Sequence, residues 1–357
     1  MSGPSAAQVL AKFKKDYGAE IGEFGDEYHD LPRLPTGIFP LDLALGGGLP
    51  MGKMSIPYGP ESSNKTNLAL STIKTGQLLY PDKKAVFIDA ENALDKTWAK
   101  KLGVDLDRMI TIHPDYAEQA VDIVEAFLHA PDVFTVVLDS IPALITQNEI
   151  ESSADKQVVA GNSQVIGRMV RKAVHAFGVT RKKNPNGFSP ALICINQIRH
   201  KIGVMFGDPE TFPGGNALRF ASSCTLRCYG KNIVDKKIND VMPAAKECSI
   251  ILKKWKMPIL QVNAKYTMNM LALGDLPVGH VEDWNTIYAF LKELGYIDKA
   301  KGGYLMFGET YSTIDAMKTK LYSNPKLLME TKRTIIAEMM QAGAIAATTG
   351  EEEVESL

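Results

Sequence analysis

Gly59-Pro60-Glu61-Ser62-Ser63-Asn64-Lys65-Thr66 decides the fold. The segment follows the pattern G-x-x-x-x-G-K-[ST] everywhere except at Asn64, which stands where the second glycine belongs. In that pattern the loop backbone cradles a polyphosphate. The lysine, here Lys65, reaches the β- and γ-phosphates, and the hydroxyl of Thr66 ligates Mg²⁺. Glycine is usual at the second position because the chain turns tightly there, often at positive φ. Asparagine is one of the few residues that tolerates such backbone, below the roughly 1–2 kcal/mol an ordinary L-residue would suffer. The spacing therefore predicts nucleotide binding over Gly59 to Thr66, with Asn67 in the first turn of the helix that follows.

Working outward, strands and helices alternate. Strand patterns read at Ala85–Asp89, Phe134–Asp139, Leu192–Asn196, Cys224–Tyr229 and Ser249–Leu252, with helices over 67–80, 117–129 and 162–178. Such alternation predicts an α/β fold with a mainly parallel sheet covered on both faces, whose ligands collect at the carboxyl ends of the strands. Acids sit at those ends. Val136-Val137-Leu138-Asp139 ends where a phosphate-loop enzyme carries the carboxylate that holds Mg²⁺ through water, although buried strands also end in Asp at ordinary turns. Glu91, after Val86-Phe87-Ile88-Asp89-Ala90, is placed to polarise a water; capping the helix 92–101 is its plainer role. Trp98 is suited to stacking on a flat ring such as adenine, with Asp95 near an exocyclic amine; a tryptophan at helical spacing is otherwise a core residue.

The chain has 357 residues, 45% apolar and 23% charged, the balance of an ordinary globular protein. A net charge of -1 excludes a global basic field, so nucleic-acid contacts must come from local segments. Cys194, Cys224, Cys228 and Cys248 have no C-x-x-C spacing, which favours buried thiols in a reducing, cytoplasmic setting. No apolar run or leader-like segment argues for a membrane. The expected organisation is an amphipathic N-terminal helix (5–16) within 1–33, a core over 34–268, a small α+β unit over 269–340 with a turn at Gly302-Gly303-Tyr304, and a disordered acidic tail over 341–357.

Two loops carry the signs of a nucleic-acid groove. Residues 198–216 mix Arg199 and Lys201 with Ile202, Met205 and Phe206, and close on Thr211, Gly214, Gly215 and Asn216. Cations suit phosphates, and exposed apolar side chains wedge between bases. The other loop, first along the chain at about 149–164 and including Gly161 and Ser163, leads into a helix bearing Arg168, Arg171 and Lys172.

Taken together, LPTGIFPLDLALGGGLPMGK, YGPESSNKT, FIDAENALD, KLGVDLDR, VVLDSIPAL and INQIRHKIGVMFGDPETFPGGNALRF resemble the RecA-type strand-exchange recombinases over residues 6 to 340. The resemblance implies a RecA-like ATPase core that binds ATP and Mg²⁺. It also implies a homo-oligomeric helical filament on single-stranded DNA, pairing with homologous duplex DNA, and a single-strand-binding protein or loader as partner. By position it makes Glu91 the activating carboxylate and Asp139 the metal-linked acid. Gln197 becomes the sensor of the γ-phosphate, and Asp95 and Trp98 the adenine contacts. Lys254 and Lys256 would reach the neighbouring protomer's ATP, and Phe220 would lie at the protomer interface.

Several positions depart from that family. Asn64 and the strand residue Pro57 predict slower turnover or altered nucleotide preference. Glu151-Ser152-Ser153-Ala154-Asp155-Lys156-Gln157 lengthens the first loop, and His175 falls near an expected arginine, which shifts DNA contact toward Arg171 and Lys172. An ATP-binding scaffold with little hydrolysis and a ring motor on the same fold are the alternatives.

Overall fold

The computed structural model describes residues 5–17, 32–152, 161–184, 188–200, 210–235, 243–274 and 276–354, with Tyr17, His200 and 343–354 described by backbone alone. Helix α1 (Ala6–Tyr17) comes first, followed by β1 (Arg33–Leu34), α2 (Phe39–Ala44), β2 (Leu49–Pro50) and β3 (Met54–Gly59). The alternation then runs α3 (Lys65–Leu79), β4 (Lys84–Asp89), α4 (Lys96–Lys101), β5 (Met109–Ile112), α5 (Ala117–Leu128) and β6 (Val133–Asp139). Next come α6 (Gln147–Glu151), α7 (Gly161–Lys183), β7 (Ala191–Cys194), β8 (Asn196–Gln197), β9 (Arg199–His200) and β10 (Glu210–Thr211). Helix α8 (Gly215–Ala221) leads into β11 (Cys224–Ile233), β12 (Ala245–Trp255) and β13 (Asn263–Asn269).

Nine of these strands form one sheet in the order β13-β12-β11-β3-β7-β6-β4-β5, with β8 continuing the pairing on β3, while β1–β2 and β9–β10 are separate two-stranded pairs. Strands β11, β3, β7, β6, β4 and β5 run parallel, while β12 and β13 are added antiparallel at one edge. Side chains alternate between the faces as a two-residue period requires. On β4, Ala85 and Phe87 enter the core that α3 covers, and Val86 and Ile88 enter the core under α5 and α7. Helix α5 answers with Ala117, Ala120, Val121, Val124 and Leu128, a stripe at helical spacing. Gly76 lies mid-helix in α3, where glycine costs about 1 kcal/mol relative to alanine. A Cβ there would come within 2.1 Å of the Phe134 ring, so the close approach of α3 to β6 requires it.

Pro57 sits inside the central strand, where a ladder N–H is missing. The pairing shows how this is absorbed. Strand β3 matches β7 through Met54 and Ser55, then matches β8 through Tyr58 and Gly59, and the ladder is interrupted between them. Ile195, between β7 and β8, turns its N–H to Leu138 O and accepts from Ile141 N instead.

The C-terminal unit comprises α9 (Trp284–Glu293), β14 (Ile297–Ala300), β15 (Gly303–Met306), β16 (Glu309–Tyr311), α10 (Ile314–Tyr322) and α11 (Pro325–Val354). Its core of Trp284, Ile287, Leu291, Met306 and Met317 also takes Phe39 and Leu43 from α2, so the boundary near 269 is bridged by packing. The β14–β15 hairpin turns at the expected glycines. The tail differs from the expected disorder. The backbone of α11 continues helical through 341–354, a stretch whose Ala342, Ala344, Ala346 and Ala347 have high helix propensity. Among the described residues no helix is long and apolar enough to cross a membrane.

Candidate nucleotide site and DNA-facing loops

The phosphate loop joins β3 to α3, so the N-terminus of a fifteen-residue helix points at the loop. Asn64 adopts φ 73° and ψ 16°, the left-handed backbone expected where glycine is usual. Gly59 needs no special dihedral; it needs room. A Cβ there would meet Cys228 O at 2.5 Å and Ser63 Oγ at 2.6 Å. Lys65 is buried and folds back on the loop, donating to Gly59 O at 3.1 Å, Pro60 O at 2.6 Å and Ser63 Oγ at 3.3 Å. Burial lowers its pKa despite nearby acids. Glu61 and Ser62 shape the outer rim, where Ser62 O accepts from Lys246 Nζ at 2.9 Å.

Thr66 and Asp139, both expected at the metal, are brought together: Thr66 Oγ1 donates to Asp139 Oδ2 at 2.8 Å. Burial pushes Asp139 up to about 6, with Glu91 and Asp89 adding like charge and the Thr66 hydrogen bond opposing it. A half-buried hydroxyl and a buried carboxylate among surplus negative charge suit a hard cation. Among the described residues no group of three or more His, Cys, Asp or Glu could hold a metal unaided. Such a pair would need phosphate oxygens and water to complete a Mg²⁺ shell. Glu91 accepts a hydrogen bond from Ser140 Oγ, which orients its carboxylate beside the end of β6. Asp89 orders the intervening turn by accepting from Ala93 N and Leu94 N.

On the other side of the loop, Asp95 is the N-cap of α4 and accepts from Trp98 N at 3.0 Å. The Trp98 indole is half-buried and donates to Asn67 Oδ1 at 2.8 Å. Asp95 and Trp98 therefore stand next to the first turn of α3, as a base site requires.

Gln197 pairs with Gly59 across β8 and β3, which puts it level with the start of the phosphate loop. Its neighbour Asn196 is buried and donates to Pro213 O at 2.9 Å, tethering the far end of the long loop. That loop has a stem. Arg199 faces Thr211 across the antiparallel β9–β10 ribbon. Lys201, Ile202, Met205 and Phe206 lie outside the described residues, as do residues 153–160 of the first loop. Gly214 and Gly215, at φ 104° and 72°, start α8, with Asn216 in its first turn. A Cβ on Gly215 would lie 4.0 Å from Ser163, so the N-terminal turns of α7 and α8 meet.

Arg168 and Arg171 are exposed on α7. Lys172, also expected at the DNA, has its Nζ between Asp122 at 2.7 Å and Glu125 at 2.6 Å, which ties α7 to α5. Lys254 and Lys256 donate to the C-terminal carbonyls of α8, Lys254 to Arg219 O and Phe220 O and Lys256 to Phe220 O. From Lys246, beside the phosphate loop, to Lys254 is eight strand steps, about 26 Å. The two lysines therefore lie far along the strand from the phosphate loop of their own chain. Phe220 is 71% exposed beside them.

Two residues escaped the sequence reading. Lys246 falls outside the strand read from Ser249, because β12 begins four residues earlier. Arg227 forms a two-pronged pair with Glu210, both contacts 2.7 Å, and donates to Cys228 O at 2.7 Å. Its only signal was a lone cation in the strand Cys224–Tyr229.

The fold and this site define a phosphate-loop nucleotide-binding protein with basic loops at the carboxyl end of its sheet. The RecA N-terminal domain model matches residues 5–270. Protein RecA of Cytophaga hutchinsonii is 32% identical over 96% of this chain and 93% of its own, and that of Acholeplasma laidlawii 34% over 92% and 93%. Protein RecA of Haemophilus ducreyi is 38% identical over 72% of this chain and 67% of its own. The chain belongs to the RecA family, the DNA-dependent ATPases of homologous recombination. It is accordingly a nucleotide-binding, DNA-binding and self-associating protein.

Proposed function

We propose that this chain binds ATP with Mg²⁺ at Gly59–Asn67, polymerises on single-stranded DNA, and exchanges strands with a homologous duplex. The Thr66–Asp139 pair carries the reading, because it joins the two side chains a nucleotide-bound Mg²⁺ would need. The metal would supply charge neutralisation at the phosphates. Lys65, now bonded to loop carbonyls, has the reach to exchange them for phosphate oxygens. Glu91, oriented by Ser140, would hold the attacking water, which suits a carboxylate general base.

Lys254 and Lys256 act in trans. Their distance from the home loop and the exposed Phe220 beside them support a site completed by the next protomer. Gln197, in register with Gly59, would transmit phosphate occupancy to the ribbon carrying Arg199 and Thr211. Arg168, Arg171, Lys201 and the apolar Ile202, Met205 and Phe206 would grip and part the bases. Four free, buried cysteines support a reducing cytoplasmic setting. A single-strand-binding protein or a loader is the class of partner such filament growth calls for.

ATP hydrolysis with Mg²⁺, measured without DNA and with single-stranded or duplex DNA, tests the reading. Strong stimulation by single strands is the expected result. ATP-bound filaments without turnover would leave a scaffold, and hydrolysis indifferent to DNA would leave a motor.

A further inference from the structure

The indole of Trp98 has one polar atom, an N–H that can only donate. It donates to Asn67 Oδ1, which forces the Asn67 amide nitrogen the other way, where it donates to Asn64 Oδ1 at 2.7 Å. Asn64 is thereby turned so that its own nitrogen faces Tyr266 Oη at 3.3 Å and Met268 Sδ at 3.7 Å on β13. Tyr266 in turn pairs with Cys248 of β12 across the antiparallel ladder. One donor-only group thus sets the direction of a whole series, from α4 through the first turn of α3 to the antiparallel edge of the sheet. Asn64 and Tyr266 are both buried, so a broken link leaves a polar group with no water to replace its partner. Glycine, the usual residue at position 64, would have no side chain to make this connection.

We propose that Asn64 and Asn67 are positioning residues that lock Trp98 to the phosphate loop, so that a nucleoside triphosphate is gripped by base and polyphosphate as one unit. This rests on the reading of Gly59–Asn67 as the ATP site. The half-buried indole keeps part of its surface open within one side chain of the loop helix. A purine tethered through ribose to the polyphosphate is the flat ring that chemistry supplies there. Asp95, whose carboxylate caps α4 at Trp98 N, has further acceptor sites for an exocyclic amine. The relay therefore couples the two ends of one ligand.

Calorimetric binding of ATP and of inorganic tripolyphosphate to the full chain tests this with Asn64→Gly, Asn67→Ala and Trp98→Ala. Asn64→Gly keeps the backbone, since glycine adopts φ near +73° freely, and its melting curve verifies folding. Affinity for ATP is expected to fall roughly ten-fold in Asn64→Gly and Asn67→Ala, as for one lost positioning bond. Affinity for tripolyphosphate, which has no base, should fall less than affinity for ATP. Asn67→Ala should add nothing once Trp98→Ala is present. Unchanged ATP affinity, equal losses for both ligands, or full additivity of Asn67→Ala with Trp98→Ala would each overturn the proposal. An unaltered protein that binds no ATP would overturn the ATP reading itself, and the relay with it.

Discussion

Glu91 and Asp42 are two carboxylates whose settings give opposite consequences. Glu91 is exposed and held by Ser140, positioned for chemistry. Glu91→Gln should cut single-turnover ATP hydrolysis by about 10²–10⁴, the usual worth of a general base, while fluorescent-nucleotide binding persists. Asp42 is fully buried in α2 and accepts from Thr36 N at 2.6 Å, Thr36 Oγ1 at 2.7 Å and Gly37 N at 3.0 Å. Burial pushes its pKa up to about 7, and those donors and Lys332 only partly oppose the shift. The folded state then holds the proton more tightly than the unfolded chain, so this group stabilises the fold below pH 4 and loses that contribution as pH rises toward 7. Thermal unfolding of Asp42→Asn should show a flatter pH dependence over that interval than the unaltered protein.

Strand β11 links the β9–β10 ribbon to the phosphate loop. Glu210 on β10 holds Arg227, Arg227 donates to Cys228 O, and that carbonyl lies against Gly59. The Arg227 side chain is only 6% exposed, so loss of its partner strands a buried cation. Glu210→Ala should destabilise the fold by about 3 kcal/mol in urea unfolding, within the range for breaking such a pair. Stimulation of hydrolysis by single-stranded DNA should fall further than the DNA-independent rate, because the ribbon is released from the loop. Helix α1 has the opposite character. No residue over 5–16 is buried, and Val9 and Phe13 are 38% and 44% exposed. Its apolar face was legible in the sequence and stays partly exposed. Deleting residues 1–31 should leave the melting curve of the core unchanged and abolish DNA-dependent filament growth seen by light scattering.

The proposed split of the site between protomers would have a consequence that no monomeric enzyme shares. Lys254→Ala/Lys256→Ala would remove the half offered to a neighbour, and Glu91→Gln the half kept at home. Each variant alone should hydrolyse little ATP. Mixed in equal amounts on single-stranded DNA, they should recover about a quarter of the unaltered rate, because head-to-tail contacts of random composition rebuild one intact site in four. A mixture as inactive as its parts would mean that the lysines serve no neighbouring nucleotide.

Local chemistry made much of this protein readable. The Gly59–Thr66 spacing, the apolar strands ending in Asp89 and Asp139, and the motif around Gln197 are contiguous signals, and backbone geometry alone turns them into a loop, a sheet and a site edge. The sequence determined these because each depends on residues a few positions apart. Contacts between distant segments were decided only by the tertiary structure. Lys172 carries the same charge as Arg168 and Arg171, yet α5 presents Asp122 and Glu125 to it alone. Glu210 and Arg227 are seventeen residues apart with no periodic link, and Asn64 meets Tyr266 across 202 residues. Pro57 reads as an obstacle in one strand and becomes harmless only because the neighbouring strand breaks beside it. A side chain's partner is set by which elements pack together, and packing belongs to the folded whole.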